Sequence, residues 1–405
     1  MKVLTFSCYY TPEIAASMYL TEDIYKGIVD AGHELEVYTP MPCRGISEKV
    51  RKEYKRNKTE KKYDGRLVIH RFAMYREGKN SILRAIRYLL INVVSIWKGL
   101  TTKADAIFVQ STPPTQGVVA GLLSKLKKIP LLYNLQDVFP DSLVNAGMTH
   151  EGSVLWKIGR KIENYTYKNA DRIIVISEGF KRNIMAKGVP EEKIEVISNW
   201  IDLDSVQPVE KENNALYDEF GIDKNKYIVL YAGNFGAAQG ADIILKAAEK
   251  LGDETDIQFV IFGGGAYFEE AKAHAASLPN VVINELLPQE RVSEVYSLGD
   301  VALICCKPGT GSAGMPSKTW SIMACNTPII ASFDTDSDLA DVLSLSGAGK
   351  CIQPGDAENL AKAVLDFKNL GKSGFNERGY VTKYASKDAC VSRYVNVFNK
   401  MDRGG

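Results

Sequence analysis

The sequence predicts an α/β protein built from two doubly wound, Rossmann-like units, and three observations carry that expectation. Short apolar runs typical of buried parallel strands alternate with helical patterns. This rhythm runs to about residue 200 and starts afresh near Tyr227. At 405 residues the chain is also too long for one comfortable hydrophobic core. We therefore expect an N-terminal unit over residues 1–200, completed by a C-terminal helix over 386–402, and a C-terminal unit over 215–385.

The first unit opens with a strand over Val3–Tyr9, a loop from Tyr10 to Ser17, a helix from Met18 to Ala31 and a strand over Glu34–Tyr38. In open sheets of this kind ligands gather beyond the carboxyl ends of the strands, which is where the Tyr10–Ser17 loop lies. His33 sits at the opposite edge and is read as structural. A basic run from Lys49 to Lys62 follows, either a solvated loop or a patch drawn to an anionic membrane surface. Leu67–Phe72 is the next strand, and Ser81–Leu100 a long helix. Its apolar middle, flanked by Arg84, Arg87 and Lys98, suits packing on the sheet or lying in a membrane interface. Strands at Ala106–Gln110 and Pro130–Leu135 end in Ser111-Thr112-Pro113-Pro114 and Gln136-Asp137. Asp137 directly follows a strand, a position where chemistry sits in such sheets, although a turn-former is the alternative. Arg172–Ser177 and Ile194–Ser198 complete the sheet, and the polar stretch over 199–214 reads as a connector.

The second unit sets strands at Tyr227–Ala232, Gln258–Phe262, Val281–Ile283, Val301–Cys305 and Pro328–Ser332, with a helix from Ala241 to Leu251. Ala357–Asn369 and Ser386–Met401 are closing helices. Glycine-rich loops stand after three of the strands, at 233–240, 263–265 and 309–316. Together, on one sheet edge, they would bare backbone N–H groups around a phosphate-bearing nucleotide. The third loop runs into a helical pattern at Pro316-Ser317-Lys318. A helix N-terminus carries unpaired donors and a partial positive charge, and Lys318 adds a full one. An ordinary capped helix is the alternative.

Composition narrows the field. Seven cysteines without a C-x-x-C pair point to reduced thiols rather than disulfides or a metal site. None of the four histidines pairs at metal-ligand spacing. Met1-Lys2 leads straight into a strand, so no secretory signal is expected, and no apolar run reaches the roughly 18–20 residues of a membrane span. The net charge of +1 hides an asymmetry. Residues 1–200 carry 31 Lys and Arg against 21 Asp and Glu, a net of +10, and residues 201–405 carry 19 against 28, a net of −9. Opposite signs argue for different partners.

Several motifs in this order resemble a known family. They are Tyr10-Thr-Pro-Glu13, Gly32-His33-Glu34, Asp137-Val-Phe-Pro-Asp-Ser142, Tyr231-Ala-Gly-Asn-Phe-Gly-Ala-Ala-Gln-Gly240, Met315-Pro-Ser-Lys318 and Met323-Ala-Cys-Asn-Thr-Pro328. The chain resembles the retaining glycosyltransferases of the GT-B fold called "glycosyl transferases group 1", or family 4. Within them it is similar to bacterial N-acetylfucosamine and other transferases that work on polyprenyl-diphosphate carriers. The resemblance implies two Rossmann-like domains facing across a cleft, a UDP-sugar donor, a polyprenyl-diphosphate-linked sugar as acceptor, no metal or other cofactor, and no nucleic acid. It implies a peripheral protein at the cytoplasmic face of the bacterial inner membrane, with Lys52, Lys55, Arg56, Arg84, Arg87 and Trp97 facing the lipid. Asp137 and Lys318 would be catalytic. The donor would meet Asn234, Gly236, Gln239, Gly240, Gly263, Gly264, Leu287, Ser312, Gly314, Met315, Pro316, Ser317 and Ser321. The acceptor would meet Tyr10, Glu13, Ala15, Ala16, Ser17 and Thr112.

Departures from the family pattern are informative. Asn234 and Gln239 stand where the family usually carries Arg and Lys, and Ala313 and Ser321 where it carries two glutamates. Charge-assisted bonds to phosphate are typically worth about 1.5–3 kcal/mol each, so Lys318 is expected to supply part of what is missing. A UDP-sugar epimerase of the same architecture and a non-catalytic nucleotide-sugar-binding subunit are the alternatives.

Overall fold

A computed structural model describes residues 1–13, 18–76, 81–145, 147–311, 314–371 and 375–402. The predicted site residues Ala15, Ala16, Ser17 and Ser312 lie outside this set. The chain divides into one unit of residues 1–199 with 390–405, and another of residues 200–389.

The first unit holds strands β1 (Lys2–Phe6), β2 (Glu34–Pro40), β3 (Thr59–Lys62), β4 (Leu67–Phe72), β5 (Ala106–Gln110), β6 (Leu131–Leu135), β7 (Arg172–Val175) and β8 (Ile194–Val196). Its helices are α1 (Met18–Asp30), α2 (Glu48–Arg56), α3 (Ser81–Thr101), α4 (Thr115–Lys127), α5 (Asp141–Asn145), α6 (Val154–Asn169) and α7 (Glu178–Ala186). The sheet order is β3-β4-β2-β1-β5-β6-β7-β8, parallel except for β3, which pairs antiparallel with β4. Leu4, Ile107, Val109, Leu131 and Ile173 are fully buried, as expected of strands covered on both faces. The basic run predicted as a loop is instead α2 followed by β3. Ser47 caps α2 through the Val50 amide, and Arg51 turns inward to donate to the carbonyls of Pro42 and Met74. Lys52, Lys55 and Arg56 stay exposed.

α3 matches its predicted span. Its inner side buries Arg87, Ile91, Ser95 and Gly99, and Gly99 admits Leu123 of α4 so closely that a Cβ there would lie 2.3 Å from Leu123 Cδ1. Its outer side exposes Ile82, Ile86, Leu89, Val93, Trp97 and Leu100 at three- and four-residue spacing, one continuous apolar stripe. Arg84 is exposed beside it. Arg87 does not face outward as expected, because it is fully buried and its Nη1 donates to the Tyr75 carbonyl.

The second unit carries strands β9 (Tyr227–Asn234), β10 (Ile257–Gly264), β11 (Val281–Glu285), β12 (Val301–Cys305), β13 (Ile329–Ser332) and β14 (Gly349–Ile352). Its helices are α8 (Leu216–Glu219), α9 (Asp242–Lys250), α10 (Phe268–Ala275), α11 (Val292–Ser297), α12 (Lys318–Ala324), α13 (Asp338–Ser346), α14 (Ala357–Leu370) and α15 (Glu377–Tyr384). A last helix, α16 (Lys387–Asp402), follows, and from Cys390 onward it belongs to the first unit. There Tyr394 donates to Asn134, and Asn399 hydrogen-bonds His33. The second sheet runs β11-β10-β9-β12-β13-β14, all parallel. Alternate residues of β9 feed opposite layers, with Leu230 and Ala232 in one core cluster and Val229 and Tyr231 in the other.

The stretch read as a connector is built into the second unit. Val206 is buried in its core, and the amides of Gln207 and Val209 donate to Ser293 and Ser297 of α11. Arg378 of α15 donates to the carbonyls of Leu203, Val206 and Ala324, joining this stretch to the C-terminal end of α12, where a cation is favourable. Arg378→Met is expected to lower stability by about 2–3 kcal/mol in urea denaturation, the scale of losing charged hydrogen bonds. An unchanged midpoint would show that this tie is idle.

Candidate functional site

In the second unit the loops after β10, β9 and β12, three adjacent strands, knit into one floor at the carboxyl edge of the sheet. Phe235 N–H donates to the Gly264 carbonyl at 2.6 Å, and Tyr267 N–H to the Phe235 carbonyl at 3.0 Å. The Ala238 carbonyl accepts from Lys307 N–H at 2.9 Å and from the Thr310 hydroxyl at 3.2 Å. Glycine is required where these loops close on one another. A Cβ on Gly265, whose φ is +110°, would lie 1.9 Å from Asn234 Oδ1. One on Gly236 would lie 2.6 Å from Gln239 Oε1 and 2.7 Å from Asn234 Nδ2. Among the described residues, the N–H groups of Gly236 and Ala237 have no hydrogen-bond partner.

Lys318 reaches across from α12 to the end of β9. Its ammonium donates to the Ala232 carbonyl at 3.0 Å and lies 4.4 Å from the Tyr231 ring centre. A Cβ on Gly233 would come within 2.6 Å of Nζ, so a larger residue there would displace the ammonium from this position. Burial brings the lysine down to about 8, with the neighbouring Cys305 acting in the opposite sense. Tyr231 is held by donating to the Asn234 carbonyl at 2.9 Å.

Three expectations about this region change. The helix starts at Lys318, not Ser317, spans seven residues, and Ser317 makes no side-chain cap. The amides of Gly309 and Gly311 are not bare, because both donate to the Asp334 carboxylate, at 2.9 and 2.7 Å. An anion would be repelled there. Gly263 answers to packing, since a Cβ on it would lie 2.4 Å from Phe268 and 2.9 Å from Phe235. Gly264 lies beside the exposed Leu286, next to Leu287. Gly240, with φ +56°, backs onto Cys306 and Lys307. Gly314, with φ +138°, has open space around it, and Met315, Pro316 and Ser321 are half-buried nearby in the chain.

In the first unit Asp137 and Thr112 are both exposed just past the ends of β6 and β5, neighbouring strands of the sheet. The Asp137 carboxyl is pushed above its usual range by loss of solvent, opposed by the Ser142 hydroxyl that donates to it at 3.1 Å, with Asp141 adding a small rise. Behind this turn stands a network of charges. Asp141 accepts from Asn183 at 3.0 Å and from Lys187 at 2.8 Å. Lys187 also pairs at 2.9 Å with the buried Glu163, which accepts from the Tyr167 hydroxyl at 2.8 Å and pairs with Arg160. The network thus ties α6 and α7 to the start of α5, five residues from Asp137 or fewer. Tyr10 and Glu13, expected at the acceptor, are both turned into the interior. Tyr10 is buried and stacked on Tyr25 at 5.6 Å. Glu13 is buried and accepts from the amides of Tyr10, Cys43 and Arg44.

Sequence reasoning passed over Asp334, Lys187 and Glu163. Asp334 follows a strand directly, as Asp137 does, and that was the available signal; Lys187 and Glu163 carried none, because only folding brings them together.

Residues 19–205 match the family described as Glycosyltransferase Family 4, and residues 213–388 the family described as Glycosyl transferases group 1. The chain is a glycosyltransferase of the GT-B type. It is 25% identical over 407 residues to a protein assigned to colanic acid biosynthesis in Escherichia coli (strain K12), glycosyl transferase WcaI, covering 98% of this chain and 99% of the relative. It is 26% identical over 310 residues to glycosyltransferase WbjE of Pseudomonas aeruginosa, covering 74% and 77%. Among solved structures, Anabaena Alr3699/HepE in complex with UDP superposes with a TM-score of 0.70 at 14% identity, over 99% of this chain and 100% of that one. That likeness supports the fold.

Two outcomes are expected. A lysine whose folded value is lowered binds fewer protons folded than unfolded between about 8 and its ordinary 10.5, so its cost is full below pH 8 and fades as pH rises. The wild type should therefore gain stability over Lys318→Met variants less below pH 8 than at pH 9.5, read as a difference of melting temperatures; a pH-independent difference would contradict a buried, depressed ammonium. Lys187→Met should cost about 1.5–3 kcal/mol in denaturation by removing the charged hydrogen bonds to Asp141 and Glu163 while Arg160 still pairs with Glu163, and Lys187→Arg should restore most of it.

Proposed function

We propose that this glycosyltransferase moves a sugar from a UDP-sugar, of the N-acetylated or deoxy amino class, to a hydroxyl of a polyprenyl-diphosphate-linked sugar, with retention of configuration, in the making of a bacterial surface polysaccharide. The observation that carries the donor half is the Lys318 ammonium, lodged at the carboxyl end of β9 against the Ala232 carbonyl, with the loop that follows β9 holding two amides, those of Gly236 and Ala237, that have no partner among the described residues. A diphosphate against Gly236, Ala237 and Lys318 would draw that ammonium toward full charge and supply the buried cation with its counter-ion. As the bond from the anomeric carbon to the β-phosphate oxygen breaks, negative charge grows on that phosphate, where fixed donors act most strongly. The acceptor oxygen attacks from the face the phosphate leaves, and its proton passes to the departing phosphate. Asp137, with its carboxyl raised by desolvation, orients the acceptor hydroxyl. The base would lie by Gly264 and the Leu286–Leu287 turn.

The assignment of WcaI to colanic acid biosynthesis and the UDP bound by HepE support this reading. So does α3, because a lipid-linked acceptor requires a lipid surface. No described helix is long and apolar enough to cross a membrane, while the exposed stripe on α3 suits lying in an interface. We place the protein peripherally at the cytoplasmic face of the bacterial inner membrane, with no metal required.

A mass-spectrometric screen of UDP-sugars against polyprenyl-diphosphate-linked sugars should find one transferred product that retains the donor's anomeric configuration. Isomerised UDP-sugar without acceptor would indicate an epimerase instead. Lys318→Ala should lose at least a hundredfold in turnover, about 3 kcal/mol in the transition state, with the fold intact by circular dichroism. Asp137→Asn should lose turnover with the fold intact by circular dichroism.

A further inference from the structure

A second apolar patch lies outside everything assigned above. Met148 is 72% exposed, and the first turns of α6 expose Val154 at 75%, Leu155 and Ile158. Exposed large apolar side chains are unremarkable singly, but four within eleven residues, three of them on one helix end, are not. α4 packs against both α3 and α6, so these helices form one layer on the sheet. That layer is nearly free of acid. α3 and α4 contain no Asp or Glu, and the one carboxylate of α6, Glu163, is buried and paired. Exposed basic residues are spread over all three helices, as Arg84, Lys125, Lys157 and Lys161. Glu151 is the one carboxylate in the approach to α6 from residue 142.

We infer that the N-terminal end of α6, with Met148, is a second lipid contact that lies with α3 on an anionic bilayer. This rests on the reading of the α3 stripe as membrane-facing. Apolar side chains alone would suit a second copy of the chain as well. Several exposed basic residues against one exposed acid, Glu151, favour a partner that is apolar inside and negative at its surface. A second copy presenting the same positive face would be repelled.

The patch is also coupled to the candidate acceptor site. Gly159, one residue past Ile158, sits against Pro140 and Phe139, and a Cβ on it would lie 2.7 Å from Pro140 Cβ. Pro140 is three residues from Asp137, so seating α6 on lipid holds the Asp137 turn at the bilayer surface, where the head of a lipid-linked acceptor is found.

Tryptophans supply the test. Trp97 lies on α3 and Trp156 on α6, while Trp200 and Trp320 are buried. The full chain with Trp97→Phe is mixed with vesicles of phosphatidylglycerol and phosphatidylcholine carrying brominated acyl chains. Quenching of the remaining fluorescence should persist, and Val154→Asp with Ile158→Asp on that background should abolish it and weaken vesicle co-sedimentation at least tenfold. If quenching is present in wild type but vanishes with Trp97→Phe alone, α3 meets lipid and α6 does not, and this inference fails by itself. If wild type neither sediments nor quenches, both fail. Gel filtration that shows a dimer dissolved by Val154→Asp with Ile158→Asp would assign the patch to a second copy and overturn the lipid contact.

Discussion

The second unit turns on one contact, the Lys318 ammonium against the Ala232 carbonyl at the end of β9. Its neighbours are a carbonyl dipole and the face of Tyr231, and among the described residues no carboxylate pairs with it. Burying a cation this way is costly, as the fall of its value to about 8 records. Glycine at position 233 leaves the ammonium undisplaced, and Tyr231 in turn is held by donating to the carbonyl of Asn234.

Charge is distributed around the floor with the same logic. Asp334 occupies the amides of Gly309 and Gly311, and so gives that loop a fixed shape while excluding a phosphate from its first half. On the opposite side the neutral amides of Asn234 and Gln239 face one another at 3.5 Å and flank the glycine turn at 236.

In the first unit, charge serves position. Lys187 bridges Asp141 and Glu163, fixing the turn that begins at Asp137 from behind, while Gly159 lets α6 close on it from the side. Asp137 itself is left at the surface with one hydroxyl partner among the described residues. The outward layer of α3, α4 and α6 is apolar and basic. The net of +10 over residues 1–200 thus has a specific location in part, and the remainder sits on α2.

Much of this was legible in the residues themselves. Strand–helix alternation set the two-unit architecture because period-2 and period-3.6 patterns are local properties of the chain. The glycine loops and Asp137 stood out because they follow strands, and sheet topology puts strand ends on one edge; Lys318 stood out because it opens a helix after the third loop. The short edge strand β14 went unseen, since Gly349–Ile352 is only four residues long and half exposed. Which way a side chain turns was decided by folding alone. Arg84 and Arg87 are one helical turn apart and read alike, yet one is exposed and the other enters the interior to meet the Tyr75 carbonyl. Tyr10 and Glu13 looked like ligand contacts until packing on Tyr25 and the distant amides of Cys43 and Arg44 claimed them. Periodicity and spacing are set by bonds along the backbone, so sequence determines them. Burial, pairing and the destination of a charge depend on residues remote in the chain, and those only the tertiary structure brings within reach.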